Sequence, residues 1–252
     1  MQHTSILITG ASSGIGAALA QEYAKVHIHL ALIGRNADRL HQVAEICRLK
    51  GANVREKVID VQDFDTLKSW IEEIHQHYPF SLVIANAGRG TQGQPETTEN
   101  TLDIFSTNVG GVLHTILPII PLMKDRGYGQ IAIMSSLASF RGFAEKSAYC
   151  GSKAAVRVYG EGLRASLKPL NIQVSVICPG FVKTALTDFN NFKMPFVMTS
   201  QQAARIIRKG LEKNQGRIAF PRSTYLASLF LSWMPSPWAE FFANRLPYKK
   251  KP

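Results

Sequence analysis

Seven short apolar runs recur along the chain with helix-like stretches between them, and that alternation restricts the fold more than any other feature. The runs cover residues 5–9, 29–33, 54–59, 82–85, 130–134, 173–177 and 217–220. Most are continuously apolar rather than alternating, as expected of strands covered on both faces. Helix-like patterns over 14–25, 37–50, 64–77 and 148–168 fill gaps between them. The expected fold is therefore α/β: a doubly wound Rossmann arrangement with a seven-stranded, mainly parallel sheet and helices on both faces. A length of 252 residues suits one large domain of this kind. We expect a catalytic domain over 1–221 and a short helical extension over 222–252.

In such a sheet, ligands bind beyond the carboxyl ends of the strands. The first run is followed by Thr9-Gly10-Ala11-Ser12-Ser13-Gly14-Ile15-Gly16 and then by a helix. Glycines there let backbone approach a pyrophosphate, and a helix start offers unpaired N–H groups and partial positive charge. Gly10, Ser12, Ser13, Gly14, Ile15 and Gly16 are thus candidate dinucleotide contacts. After the second run stands Gly34-Arg35-Asn36, with no acid to hold a ribose 2′-hydroxyl. An arginine favours a 2′-phosphate, so Arg35, with Asn36 and Arg39 nearby, argues for NADP in preference to NAD.

Composition removes other classes. Apolar residues make up 45% and charged residues 19%, in the range of a chain that buries a core. Cys47, Cys150 and Cys178 are an odd number without C-x-x-C spacing, which suggests neither a disulfide framework nor a structural metal and points to a reducing, cytoplasmic setting. No metal site is expected: His27 and His29, and His75 and His77, read as surface histidines and not as ligands. The run at 6–8 begins too early for an export signal, and the apolar patch at 225–234 is about half a membrane span.

The net charge of +11 is concentrated at one end. Residues 1–200 carry 19 basic and 16 acidic side chains, net +3, whereas residues 201–252 carry 10 and 2, net +8. No helix-turn-helix spacing or basic–aromatic string supports nucleic-acid binding. The aromatic segment from Tyr225 to Phe242, followed by Lys249, Lys250 and Lys251, reads either as helices packed on the domain or as a peripheral membrane contact.

Tyr149-Cys150-Gly151-Ser152-Lys153 places a phenol and an amine four residues apart on one helix face. A free tyrosine titrates near ~10, too high for an efficient proton carrier at neutral pH. An ammonium about 5.5 Å away, at an effective dielectric near ~20, contributes roughly 3 kcal/mol, enough to lower the phenol's pKa by about 2. The expectation is a phenol made labile by its neighbour.

Taken with Thr9–Gly16, Asn86-Ala87-Gly88, Asn108, Ser136 and Pro179-Gly180, that motif resembles the short, single-domain branch of the short-chain dehydrogenase/reductase family over about residues 4–220. The resemblance implies an NADP-dependent oxidoreductase interconverting a carbonyl and an alcohol by direct hydride transfer. Tyr149 is then the acid/base and Lys153 also binds the nicotinamide ribose. Ser136, thirteen residues before Tyr149, orients the reacting oxygen. Strand alternation lets only one of Ser135 and Ser136 face substrate, and the family interval selects Ser136.

Asn108 is implied to seat a relay water; by its own chemistry it can equally tie backbone across a helix irregularity. Asn86, Ala87 and Gly88 are implied to pack against the adenosine ribose, and Asp60 with Val61 to lie near the adenine. Asp60 is alternatively the N-cap of the next helix. In the loop after the sixth run, Pro179 and Gly180 lead to Val182 and Thr184 beside the carboxamide. Members of the family usually form homodimers or homotetramers.

Residues 185–199 are rich in apolar groups for a loop and read as a lid, which suggests an apolar carbonyl or alcohol substrate. Two rivals stand. One is an epimerase or dehydratase, which needs a larger C-terminal domain than this chain has; the other is a catalytically silent NADP-binding sensor or membrane-surface scaffold, against which intact Ser136, Tyr149 and Lys153 weigh.

Overall fold

The computed structural model describes residues 4–91, 93, 95–184 and 196–243. Strands β1 (Ser5–Thr9), β2 (His29–Gly34), β3 (Asn53–Val58), β4 (Leu82–Ala85), β5 (Gly129–Met134), β6 (Ile172–Pro179) and β7 (Arg217–Phe220) form one sheet in the order β3-β2-β1-β4-β5-β6-β7. Every neighbouring pair is parallel. The doubly wound fold expected from the alternation is the one observed, with order reversing between β1 and β4, where such sheets open a ligand crevice.

Alternation along the strands divides the core in two. Ile6 and Ile8 of β1 and Leu82 and Ile84 of β4 face one layer, which contains α1 (Gly14–Tyr23), α2 (Ala37–Leu49) and, beyond the sixth strand, the helix Ser200–Glu212. Leu7, Val83 and Ala85 face the opposite layer, packed by α3 (Phe64–His77) and by the 98–126 helical stretch. β3 departs from the continuous apolar pattern: Asn53, Arg55 and Lys57 alternate with Val54 because it is an edge strand, where charge discourages pairing with another chain.

The 98–126 stretch consists of α4 (Thr98–Phe105), a π turn at Ser106–Gly110, α5 (Gly111–Ile116) and α6 (Ile119–Arg126). By length and composition alone it could cross a membrane, but 56% of its apolar window is buried inside the protein, the property of a core helix. α7 (Ser147–Leu167) follows β5 through a 3-10 turn at Leu137–Phe140. The helix Ser200–Glu212, α8, opens with a capping box in which Thr199 and Gln202 each bond the other's backbone. Two further helices, α9 (Arg222–Trp233) and α10 (Ser236–Ala243), follow β7.

One histidine carries a stability prediction. Phe80 N donates to His75 Nδ1 at 3.3 Å, and burial, then the nearby Arg126, hold the imidazole down to about 4. The unfolded chain takes up this proton near 6.5 while the folded chain resists it until about 4. The contribution is therefore whole above pH 6.5 and is lost as pH falls from 6.5 towards 4. Allowing for the ring's partial exposure, the loss is about 1–2 kcal/mol. Urea unfolding at pH 7 and pH 4.5 is expected to show a smaller acid-induced loss for His75→Asn, which keeps an acceptor but does not titrate; equal losses in both proteins would contradict the assignment.

Candidate active site

The turn after β1 is shaped by two glycines with positive φ, Gly10 at 66° and Gly14 at 57°. A Cβ on Gly10 would lie 2.8 Å from the Ala87 Cα, and one on Gly16 would lie 2.2 Å from the Gly10 carbonyl oxygen. Only bare backbone therefore lets the turn sit against β4 and lets α1 start above it. Ser13 precedes α1 with no side-chain cap, and no acid occupies the first turn, so the helix start remains free to meet an anion. Ser12 packs against Gly34, and Ile15 against the core beneath.

Asn86 and Ala87 brace this turn. Their N–H groups donate to Thr9 Oγ1 at 3.1 and 3.2 Å, and Asn86 Nδ2 donates to the carbonyls of Thr9 and Gly10 at 2.9 and 3.3 Å. The implied nicotinamide-side loop closes the same region: Thr184 Cγ2 would stand 3.0 Å from a Cβ on Gly14. Gly180 N donates to Phe220 O at 2.7 Å, and buried Val182 bridges to Met198. A cradle of bare backbone with an uncapped helix start fits a pyrophosphate group.

On the implied adenosine side, Arg35 is exposed and donates to Asp60 at 3.4 Å. Asn36 is the N-cap of α2, accepting from the backbone N–H of Arg39, whose side chain is exposed. Asp60 is not a helix cap; that position belongs to Asp63, which accepts from Thr66 N at 3.1 Å, whereas Asp60 accepts from Gln62 N. Val61 is buried, and its carbonyl meets His114 Nδ1 at 2.8 Å.

The reacting groups expected on α7 meet the end of β5. Tyr149 is half-buried, and the nearby Ser136 side chain favours its ionised form. The Ser136 hydroxyl also accepts from Ala138 N at 3.1 Å and reaches the Pro179 carbonyl at 3.5 Å. Ser135 turns the other way and donates to the Lys153 carbonyl at 2.8 Å, which separates the two serines as alternation required. Lys153 is only 4% exposed, and its Nζ donates to Met134 O at 2.9 Å. A Cβ on Gly88 would stand 3.1 Å from both this ammonium and Asn108 Oδ1, so the loop after β4 closes over the pair.

The electrostatics correct one expectation. Burial is the largest influence on both groups: it raises the Tyr149 phenol, with the Ser136 hydroxyl acting the opposite way, and lowers Lys153 to about 8, with Cys178 opposing. The phenol is thus not depressed by its neighbour here. Desolvation, which favours the neutral form of each group, outweighs the surface-like attraction assumed from helical spacing.

Asn108 lies in the π turn with its amide committed. It accepts from Arg89 N at 2.8 Å and donates to Arg89 O at 3.0 Å and Ser152 Oγ at 2.9 Å. It ties the loop backbone at Arg89 and the Ser152 side chain of α7 to the π turn. Ser152 in turn donates to the Tyr149 carbonyl, and Glu96 accepts from Ala148 N at 2.7 Å to cap α7. Sequence reading passed over both, because their roles depend on loops that meet only in three dimensions.

Cys150 is buried with its thiol pushed up by burial, as suits a packing residue. Arg89 pairs with Asp103. Of the expected lid, residues 185–195, among them Leu186, Phe189, Phe192, Met194 and Pro195, lie outside the described residues. Phe196 and Val197 are exposed, and Met198 packs on the core. A cavity of about 450 Å³ opens between the 3-10 turn and α7, lined by Phe140, Arg141, Cys150 and Ala154 among others. It flanks Ser136 and Tyr149 rather than containing them.

Residues 4–195 match the family described as short chain dehydrogenase. An uncharacterised oxidoreductase of Myxococcus xanthus is 33% identical over 249 residues, covering 98% of each chain. Two solved structures share the fold. A short-chain dehydrogenase from Sphingobium yanoikuyae in complex with NADPH has a TM-score of 0.79 at 21% identity and covers 98% of both chains. The bulky-bulky ketone specific alcohol dehydrogenase of Comamonas testosteroni has 0.77 at 20%, covering 99% of this chain and 97% of that one. The match across most of its length and the full-length relative place this chain in the short-chain dehydrogenase family, as an NAD(P)-dependent oxidoreductase of alcohols and carbonyls.

Proposed function

We propose that the protein interconverts an apolar ketone and its alcohol using NADP, with Tyr149 as the proton donor or acceptor. The observation that carries this reading is the meeting of Ser136, at the carboxyl end of β5, with the Tyr149 phenol, whose ionised form it favours, beside the buried Lys153. Two hydroxyls directed at one place can both donate to a substrate oxygen. Tyr149 gives its proton to that oxygen in reduction and takes it back in oxidation, while Ser136 holds the oxygen in place. A phenol kept neutral by burial suits the donor role, and an amine near 8 can carry a proton at neutral pH. Bound nicotinamide supplies or accepts the hydride.

Arg35 supports the cofactor choice. Its contact with Asp60 is long and exposed, so releasing it for a 2′-phosphate costs little. The NADPH complex of the Sphingobium fold relative agrees with this reading, and the Comamonas ketone specificity agrees with a bulky apolar substrate. Exposed Leu102, Phe105 and Leu117 on the 98–126 stretch and Val158 on α7 support a homo-oligomer.

Arg35→Asp is expected to lower the ratio of kcat/KM for NADP to that for NAD by about 10–100-fold, about 1.4–2.7 kcal/mol. Steady-state kinetics with both cofactors checks it. A wild-type preference for NAD would overturn the NADP assignment.

A further inference from the structure

The C-terminal helix α9 has one side against the protein and large apolar side chains turned away from it. Tyr225 of α9 accepts from Arg217 at 3.0 Å and packs edge-on against Phe140 at 5.7 Å between ring centroids, which pins α9 to the turn that follows Ser136. Leu226, Phe230 and Trp233 stand at positions i, i+4 and i+7 of the same helix, so they share a face. They are 64%, 66% and 87% exposed, and Trp238 of α10 is 64% exposed. Large apolar side chains gathered on one face mark a contact surface.

Charge selects what that surface meets. Residues 222–252 hold five basic side chains (Arg222, Arg245, Lys249, Lys250 and Lys251) and one acid, Glu240, net +4. Two copies apposed through this segment would bring like charges together. An anionic lipid surface offers the opposite charge, and an apolar stripe with tryptophan beside lysine and arginine is the composition of a helix lying in a lipid interface. We infer that α9 and α10 dock on anionic membrane surfaces through Leu226, Phe230, Trp233 and Trp238.

The inference is independent of the catalytic reading. Two of the three tryptophans, Trp233 and Trp238, lie on the proposed face, whereas Trp70 is buried, so tryptophan emission reports docking. The full chain is mixed with vesicles of pure phosphatidylcholine or with 30% phosphatidylserine, and binding is followed by sedimentation and emission. Expected are at least tenfold tighter binding to the anionic vesicles, a blue shift, and reversal by 0.5 M salt. The variant Phe230→Ser with Trp233→Ser is expected to lose at least tenfold in vesicle binding while its melting temperature and ketone reductase turnover without lipid stay at wild-type values. Lys249→Ser, Lys250→Ser and Lys251→Ser together should weaken binding and its salt dependence without disturbing the fold. Absence of vesicle binding with unchanged emission would overturn the inference. So would a dimer, measured by sedimentation velocity, that dissociates in the Phe230/Trp233 variant when the wild type ignores vesicles.

Discussion

Tyr149→Phe is expected to reduce kcat for NADPH-dependent reduction of a bulky ketone by about 10³-fold, roughly 4 kcal/mol of transition-state stabilisation. The substitution removes one oxygen and keeps the ring, so α7 and the bonds from Ser152 to the Tyr149 carbonyl and from Ala148 N to Glu96 remain. The effect should therefore fall on kcat, with cofactor binding and melting temperature nearly unchanged. Cofactor titration and thermal unfolding of the same sample separate a chemical loss from a folding loss. A variant retaining more than a tenth of the turnover would remove Tyr149 from the proton-transfer role.

The second large effect has two signs. Lys153→Met should lower turnover by about 100-fold, since the proton-carrying amine disappears, and yet stabilise the fold. Lys153 is 4% exposed, and burial has lowered its amine to about 8 from 10.5. The unfolded chain thus binds this proton more tightly than the folded chain. Stability is reduced in full below pH 8 and recovers as pH rises from 8 towards 10.5. Methionine removes the buried charge but leaves the Met134 carbonyl without its donor, so the net gain at pH 7 is about 1–2 kcal/mol. Denaturant unfolding at pH 7 and pH 10 checks both sign and trend: the variant should lead at pH 7 and the gap should narrow at pH 10. A less stable variant at pH 7 would show the ammonium to be fully compensated. Such a trade of stability for a reactive group is common at catalytic sites.

The fold was legible because strand burial writes itself into composition: both faces of β1, β2, β4 and β5 are covered, and their residues are mostly apolar. Edge strand β3 read less clearly, since four of its six residues are exposed. The glycine turn was equally legible, because positive φ at Gly10 and Gly14 and the close approach at Gly16 leave no other residue type. Spacing also separated Ser135 from Ser136.

Spacing did not reveal the environment of each group. Four residues of helix place Lys153 near Tyr149, but whether the amine lowers the phenol depends on desolvation, and that follows from what the rest of the chain packs over α7. Asn108 shows the same limit: its partners Arg89 and Ser152 come from a loop and a helix distant in sequence. Asp60 was read as a possible cap of α3, but the helix starts at Phe64 and Asp63 takes that position.

The central claim is that Ser136 and Tyr149 act on one substrate oxygen as a unit. A double-mutant cycle of Ser136→Ala and Tyr149→Phe, measured as single-turnover NADPH oxidation with a bulky ketone, tests it most directly. The account predicts that Ser136→Ala alone lowers the rate by about 100-fold and adds less than about tenfold once Tyr149 is phenylalanine. Losses that simply multiply, each residue indifferent to the other, would contradict it.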